Sequence, residues 1–354
     1  MSGRFSRDGF KRATGFSRPR GFSTSAGFGA EPGLALTFTR NAATGTSPLI
    51  TAPTAADSDF IWYGPGGTRF TGKQPNISNF PAGDFRLTTM KWNTITALTF
   101  DDRKLTAFDP SRVLSRMTAL VTLHLSNNAS LTGNISSWMA LMPAIVTFRA
   151  YTTGLSGDIS GWTLPASLVT LDLHGTSASG DISGWVLPAS LAYLWPPLAA
   201  SGDVSGWVLP ATLNTLYLQF LSVSGDISGW TLPASLTGLY LYSSSLTGDI
   251  SGWTLPATLT TLYLYSAAFD YGTGNAFDSA TRNTSTYRLE SCAMSAAEVD
   301  RILADCVDSG TTSSTLNVAG TNAAPTGGAA NADLVQLRLA IGSGGLGWTV
   351  TVTA

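Results

Sequence analysis

Only two imidazoles occur in this chain, His124 and His174, and neither is accompanied by a serine elbow, an H-E-x-x-H pattern or a clustered Cys/His metal set. The Gly342-Ser343-Gly344-Gly345 run follows a helical pattern instead of opening one, so it reads as a turn and not a phosphate cradle. Acids are more regular: Asp158, Asp181, Asp203, Asp226 and Asp249 recur in one motif. Identical acids in identical surroundings do not divide into the distinct acid and base that a glycosidase needs. The expectation is therefore a protein without catalytic residues, resident metal or cofactor. The chemistry it offers is that of a surface, carried by Trp195, Tyr217, Tyr240, Tyr242, Tyr263 and Tyr265.

The elements that position these aromatics repeat. The block Gly-Asp-(Ile/Val)-Ser-Gly-Trp occurs with tryptophans at Trp162, Trp185, Trp207, Trp230 and Trp253, spaced by 23, 22, 23 and 23 residues. A fixed period of this length marks a solenoid whose units bury a core only by stacking on one another. After each block come Leu-Pro, Ala-(Ser/Thr)-Leu and a short run alternating with period two, as in Leu236, Leu239 and Leu241. Such a run is strand-like and too short for a helix. Aligned strand residues are Leu98, Leu123, Phe148, Leu171, Leu194, Leu216, Leu239 and Leu262. They predict one strand per coil, a parallel sheet on one face and a mostly irregular convex side.

At Leu120, Leu123, Leu125, Asn128, Leu131, Gly133 and Ile135 the chain reads LxxLxLxxNxLTGxI, which resembles the leucine-rich repeat; its spacing holds from about residue 93 to 290. From Phe148 onward the asparagine position is lost. The repeated aspartates are candidates to replace it, capping backbone N–H groups in their turns. Stacking of coils predicts carboxylates about 4.8 Å apart, close enough to repel, with a calcium ladder as the alternative. The tryptophans are expected to pack as a column on the convex side.

Residues flanking the buried leucines point out of the sheet. In the resembled family that face is the concave binding surface. Here it carries Thr122, His124 and Ser126, then Arg149 and Tyr151, Asp172 and His174, Tyr193, and finally the aromatic stripe, with Trp195, Tyr217, Tyr240 and Tyr263 at one lateral position. Tyrosine and tryptophan bring amphipathic area at low entropy cost, which suits recognition of a host glycan or protein.

Four segments follow. Residues 1–32 form a basic Gly/Phe-rich arm, with Phe10, Phe16, Phe22 and Phe28 recurring every six residues and Arg18 and Arg20 between them. An even spacing puts every ring on one face of an extended chain, suited to anchoring on a capsid or tail protein of a virion. Residues 33–91 read as a small β domain, 92–290 as the solenoid and 291–354 as an α/β cap. The cap includes a helix opened by the capping box Ser295-x-x-Glu298. Its end at Gly347-Trp348-Thr349-Val350 resembles caps of phage and bacterial surface proteins. Charged residues make up 12% of the chain, an exterior type of surface, and no apolar run spans a bilayer or resembles a secretory leader. The expectation is a virion structural protein, a capsid decoration or tail-fibre component, with an extracellular adhesin as the alternative. A homo-oligomer is compatible with either. Cys292 and Cys306 leave open whether they are bonded.

Overall fold

The computed structural model describes residues 35–40, 49–74, 82–278, 285–339 and 346–353. The arm, with Phe10, Phe16, Phe22, Phe28, Arg18 and Arg20, lies outside them. The chain is a solenoid of the leucine-rich-repeat type. Its leucine strands pair in register, from Ala97–Thr99 and Thr122–His124 through Thr215–Tyr217 and Gly238–Tyr240 to Thr349–Thr351. Strand leucines such as Leu123, Leu171, Leu216 and Leu239 are fully buried, as alternation demands. Each buried leucine stabilises the stack by about 1.5–3 kcal/mol.

The convex side differs from expectation. It is not irregular: a second sheet runs along it, and both sheets contain twelve strands among the described residues. The segments ending in (Ser/Thr)-Gly-Asp are its strands, including Gly154–Asp158, Ser177–Asp181, Ala199–Asp203, Ser222–Asp226 and Ser245–Asp249. Glycine next to aspartate reads as a turn in one dimension, yet here the glycine sits inside the strand at positive φ, between +114° and +147° in these five coils. The tryptophans behind this sheet are 4–6% exposed. Trp162 and Trp185 stack with rings 6.3 Å apart and 4° from parallel, and the Trp162 Nε1–H donates to the Ser136 carbonyl at 2.9 Å.

The N-terminal strands Leu36–Arg40, Ile61–Tyr63, Arg69–Thr71 and Gly83–Thr88 lie within the segment 33–91 that reads as a β domain. They extend the second sheet: Leu36–Arg40 pairs antiparallel with Leu105–Asp109, so the edge of the repeats is covered and the sheet instead ends at the short strand Arg69–Thr71. Aromatic contacts run from Phe38 through Phe100, Phe108, Trp138 and Phe148 to Trp162, joining these strands to the solenoid in one core.

The aspartates do not take over the asparagine ladder. Asn128 accepts from Leu105 N at 3.0 Å and donates to Leu125 O at 2.7 Å. In later coils the hydroxyls of Thr153, Thr176 and Ser244, at the equivalent place, donate to the carbonyl three residues back and supply half of that role. Each Asp Oδ1 instead accepts the N–H two residues on, as Asp203 does from Ser205 at 2.9 Å. Carboxylates are also further apart than a simple stack implies, because the second sheet is staggered: Asp181 pairs with Ser201, two residues before Asp203. One strand spacing combined with two residues of rise separates the α-carbons by about 8 Å.

Hydroxyl and then backbone hydrogen bonds hold the carboxyls of Asp158, Asp181, Asp203 and Asp226 below the ordinary carboxylate range. A depressed folded-state pKa contributes stability above the unfolded value, lost as pH falls through the folded one. The melting temperature should therefore stay level from pH 7 to about 5 and fall below about 4. Asn134 already fills the first rung, accepting from Ser136 N at 2.8 Å. Asp203→Asn should accordingly leave the urea midpoint at pH 7 unchanged, since the amide oxygen still accepts the bond; a lowered midpoint would contradict capping as the role.

At the far end the helix Ala296–Asp308 covers the core, with the expected Ser295–Glu298 capping box. Glu298 Oε1 accepts from Tyr271 N at 3.0 Å and Arg301 Nη2 donates to Tyr271 O at 2.9 Å, fastening the helix to the last coil. Cys292 and Cys306 are buried and not joined in a disulfide, and burial pushes Cys292 up to about 12.

Candidate recognition face

Outward residues of the leucine strands form three rows, each residue half-buried in most coils. Threonine dominates the first: Thr122, Thr147, Thr170, Thr215, Thr261 and Thr286. Gly238 interrupts it where an added Cβ would lie 2.9 Å from the Tyr240 ring. The second row holds His124, Arg149, Asp172, Trp195, Tyr217, Tyr240, Tyr263 and Arg288. Along the third come Ser126, Tyr151, His174, Gln219, Tyr242, Tyr265 and Glu290.

Sequence alternation places the aromatics on this face but does not reveal their mutual contacts. The rings stack on one another along the solenoid axis. Tyr151 lies 4.9 Å from His174, His174 lies 3.8 Å from Trp195, Trp195 lies 4.2 Å from Tyr217 and Tyr217 lies 4.5 Å from Tyr240, all within 18° of parallel. Tyr263 then turns edge-on to Tyr240 at 82°. A second stack begins with Tyr242 and Tyr265, 4.3 Å apart, and is closed by the Arg288 guanidinium 4.1 Å from the Tyr265 centroid. All six expected binding residues are thus brought together in two joined columns. The correction concerns presentation: inside a column each ring face meets its neighbour, so a ligand meets edges and hydroxyls and not a row of open faces.

The hydroxyls of Tyr193, Tyr217 and Tyr242 stay protonated. Burial, followed by the neighbouring Tyr240, pushes Tyr217 up to about 12, and burial with Tyr265 raises Tyr242. Tyr193 is raised well above its ordinary range by burial and by Asp172. These three hydroxyls therefore offer neutral donors and acceptors throughout the physiological pH range.

Both histidines carry carboxylate partners. His174 Nδ1 is 2.6 Å from Asp172 Oδ1, and His124 Nδ1 is 3.5 Å from Asp101 Oδ2. Asp172 is 5% exposed; burial raises its carboxyl despite bonds from His174. No hydroxyl or thiol side chain is hydrogen-bonded to either imidazole among the described residues, and no three His, Cys, Asp or Glu side chains there come together in a metal-holding arrangement. No helix among the described residues is long and apolar enough to cross a membrane.

Sequence reasoning missed one signal on this face. Five buried side-chain polar atoms in the outward rows have no protein partner: His124 Nε2, Ser126 Oγ, Trp195 Nε1, Gln219 Oε1 and Glu290 Oε2. Such atoms are costly to leave unpaired, and their concentration on one surface sets it apart from the core.

No protein-family model and no curated protein matches the chain. Among solved structures, the Arabidopsis receptor kinase HAESA, in complex with the peptide hormone IDA and the co-receptor SERK1, is similar at 15% identity. That match covers 64% of this chain and 47% of the other, with a TM-score of 0.34. The plant peptide hormone receptor RGFR1, in complex with RGF2, is similar at 12% identity, covering 59% and 53%, with a TM-score of 0.21. The matched part of this chain spans about half the length of each.

Proposed function

We propose that the chain is a non-enzymatic recognition protein that binds a polysaccharide along the outward face of its leucine strands. The observation that carries this reading is the stacked ladder, with hydroxyls and ring edges outward and buried polar atoms without partners beside it. Its second row has no aliphatic residue from His124 to Arg288. A surface of hydroxyls, imidazoles, amides and ion pairs suits a ligand rich in hydroxyl groups better than an apolar protein patch. Binding of the purified protein to an array of bacterial surface polysaccharides is the test; failure to bind any of them overturns the reading.

The setting proposed is a bacteriophage virion, with the arm holding the protein on capsid or tail and the solenoid held towards the host. The Gly-Phe periodicity of residues 1–32 and the low charge of the whole chain support it. Changing Phe10, Phe16 and Phe22 together to alanine should release the protein from the particle while its thermal unfolding stays unchanged, since burying one phenylalanine contributes about 2 kcal/mol. Particles that retain the triple variant at full copy number would contradict it. A bacterial surface adhesin presenting the same face is the second setting, distinguished by recovery of the native protein with cell envelopes and not with particles.

A further inference from the structure

We propose that the polysaccharide carries N-acetylated amino sugars and that Trp195, Gln219 and Phe220 form the subsite for one acetamido group. This rests on the glycan reading above. Several irregularities of an otherwise regular solenoid meet at this place.

The first is the Pro196-Pro197 pair. In neighbouring coils the residue after the second-row side chain donates its N–H to the next strand, as Leu173 does to Trp195 O and Leu218 to Tyr240 O. Pro196 has no N–H, and the pairing of Tyr193–Trp195 with Thr215–Tyr217 stops after Leu194 and Leu216. The strands are thus least tied together beside Trp195.

Two polar atoms without protein partners lie at this break, the Trp195 Nε1 donor and the Gln219 Oε1 acceptor. They belong to adjacent coils, and Gln219 is 5% exposed.

Phe220 is the third irregularity. It holds φ at +61° in a turn where other coils place Asn127, Thr152, Gly175, Ser243, Ser266 and Ser291. Those are small or polar residues; a bulky aromatic is an outlier in the left-handed region. Its ring is 60% exposed and rests edge-on against Tyr242, with centroids 5.0 Å apart at 84°. Leu198, in the preceding turn, is 50% exposed.

An acetamido group matches this set. Its carbonyl accepts from Trp195 Nε1–H, its N–H donates to Gln219 Oε1, and its methyl lies against Phe220 and Leu198. A sugar hydroxyl leaves the apolar pair uncovered, and a carboxylate sets an acceptor against Gln219 Oε1. Both polar atoms are closed to water in the free protein, so the group enters only with a local rearrangement of the side chains that cover them.

Calorimetric titration with the tetramer of N-acetylglucosamine, its de-N-acetylated form and cellotetraose tests the assignment. The acetylated tetramer should bind at least tenfold more tightly than the other two. Gln219→Leu and Phe220→Ser should each weaken it at least tenfold without lowering the melting temperature, since one removes a buried unpaired amide oxygen and the other restores the serine of the following turns. Equal affinity for cellotetraose, or binding of other array glycans but not the acetylated tetramer, overturns the acetamido assignment and leaves the glycan reading standing. Variants that bind like the wild type overturn the subsite. Preference for an N-acetylated tetra-alanine peptide would assign the amide to a protein ligand and overturn it as well. Failure to bind any array glycan overturns both readings.

Discussion

Gly202→Ala should destabilise the solenoid by at least about 3 kcal/mol, although the change adds one methyl group on a half-buried strand. Gly202 holds φ at +114°, a conformation that an L-residue reaches only with strain. An added Cβ would also collide with the Asp181 Oδ1 of the preceding coil and lie 3.0 Å from Ser183 N. That carboxylate is itself fixed, because it accepts from Ser183 N at 2.8 Å. Relief therefore requires the turn of the neighbouring coil to open, which spreads the damage along the stack. Urea unfolding of Gly202→Ala against Gly206→Ala measures it. The Cβ of the latter meets nothing within 4 Å, so it should lie within about 1 kcal/mol of the wild type. Equal stabilities would mean that the carboxylate-to-glycine contact between coils does not hold the second sheet.

Much of the fold was legible in the residues because its signals are local and repeated. Period-two leucines marked the first sheet, and Ser295 with Glu298 marked the cap helix. The second sheet was hidden because (Ser/Thr)-Gly-Asp has the composition of a turn, and strand assignment there depends on pairing with the next coil. The two-residue stagger that separates Asp181 from Asp203 is likewise invisible in one coil. For the candidate site, alternation identified every aromatic on the outward face. It gave no ring orientations, which depend on neighbours 21 to 23 residues away, as with Tyr151 and His174 or His174 and Trp195. The unusual place of Phe220 was also missed: its backbone conformation shows only when the turns are superposed, since the coil before it is one residue shorter.

The second large effect concerns binding. Replacing Tyr217 and Tyr240 by serine should abolish glycan binding and lower stability by about 2–3 kcal/mol, because it removes two rings from the middle of the stack and the contacts of Trp195 with them. Replacement of the same pair by phenylalanine separates the two contributions. The stack survives, the melting temperature should move little, and the lost hydroxyls should still weaken binding about tenfold each.

Trp195 supplies the readout, since the other nine of the ten tryptophans are buried. Quenching by acrylamide therefore reports mainly on this one ring, in the centre of the ladder. The most direct measurement is that quenching in the presence of whichever bacterial polysaccharide the wild type binds on the array. The account predicts that saturation with the polysaccharide shields Trp195, and that the phenylalanine pair loses the shielding at the same concentration while remaining folded. Binding that leaves the quenching of Trp195 unchanged, or that persists undiminished in both double variants, would contradict recognition by this face.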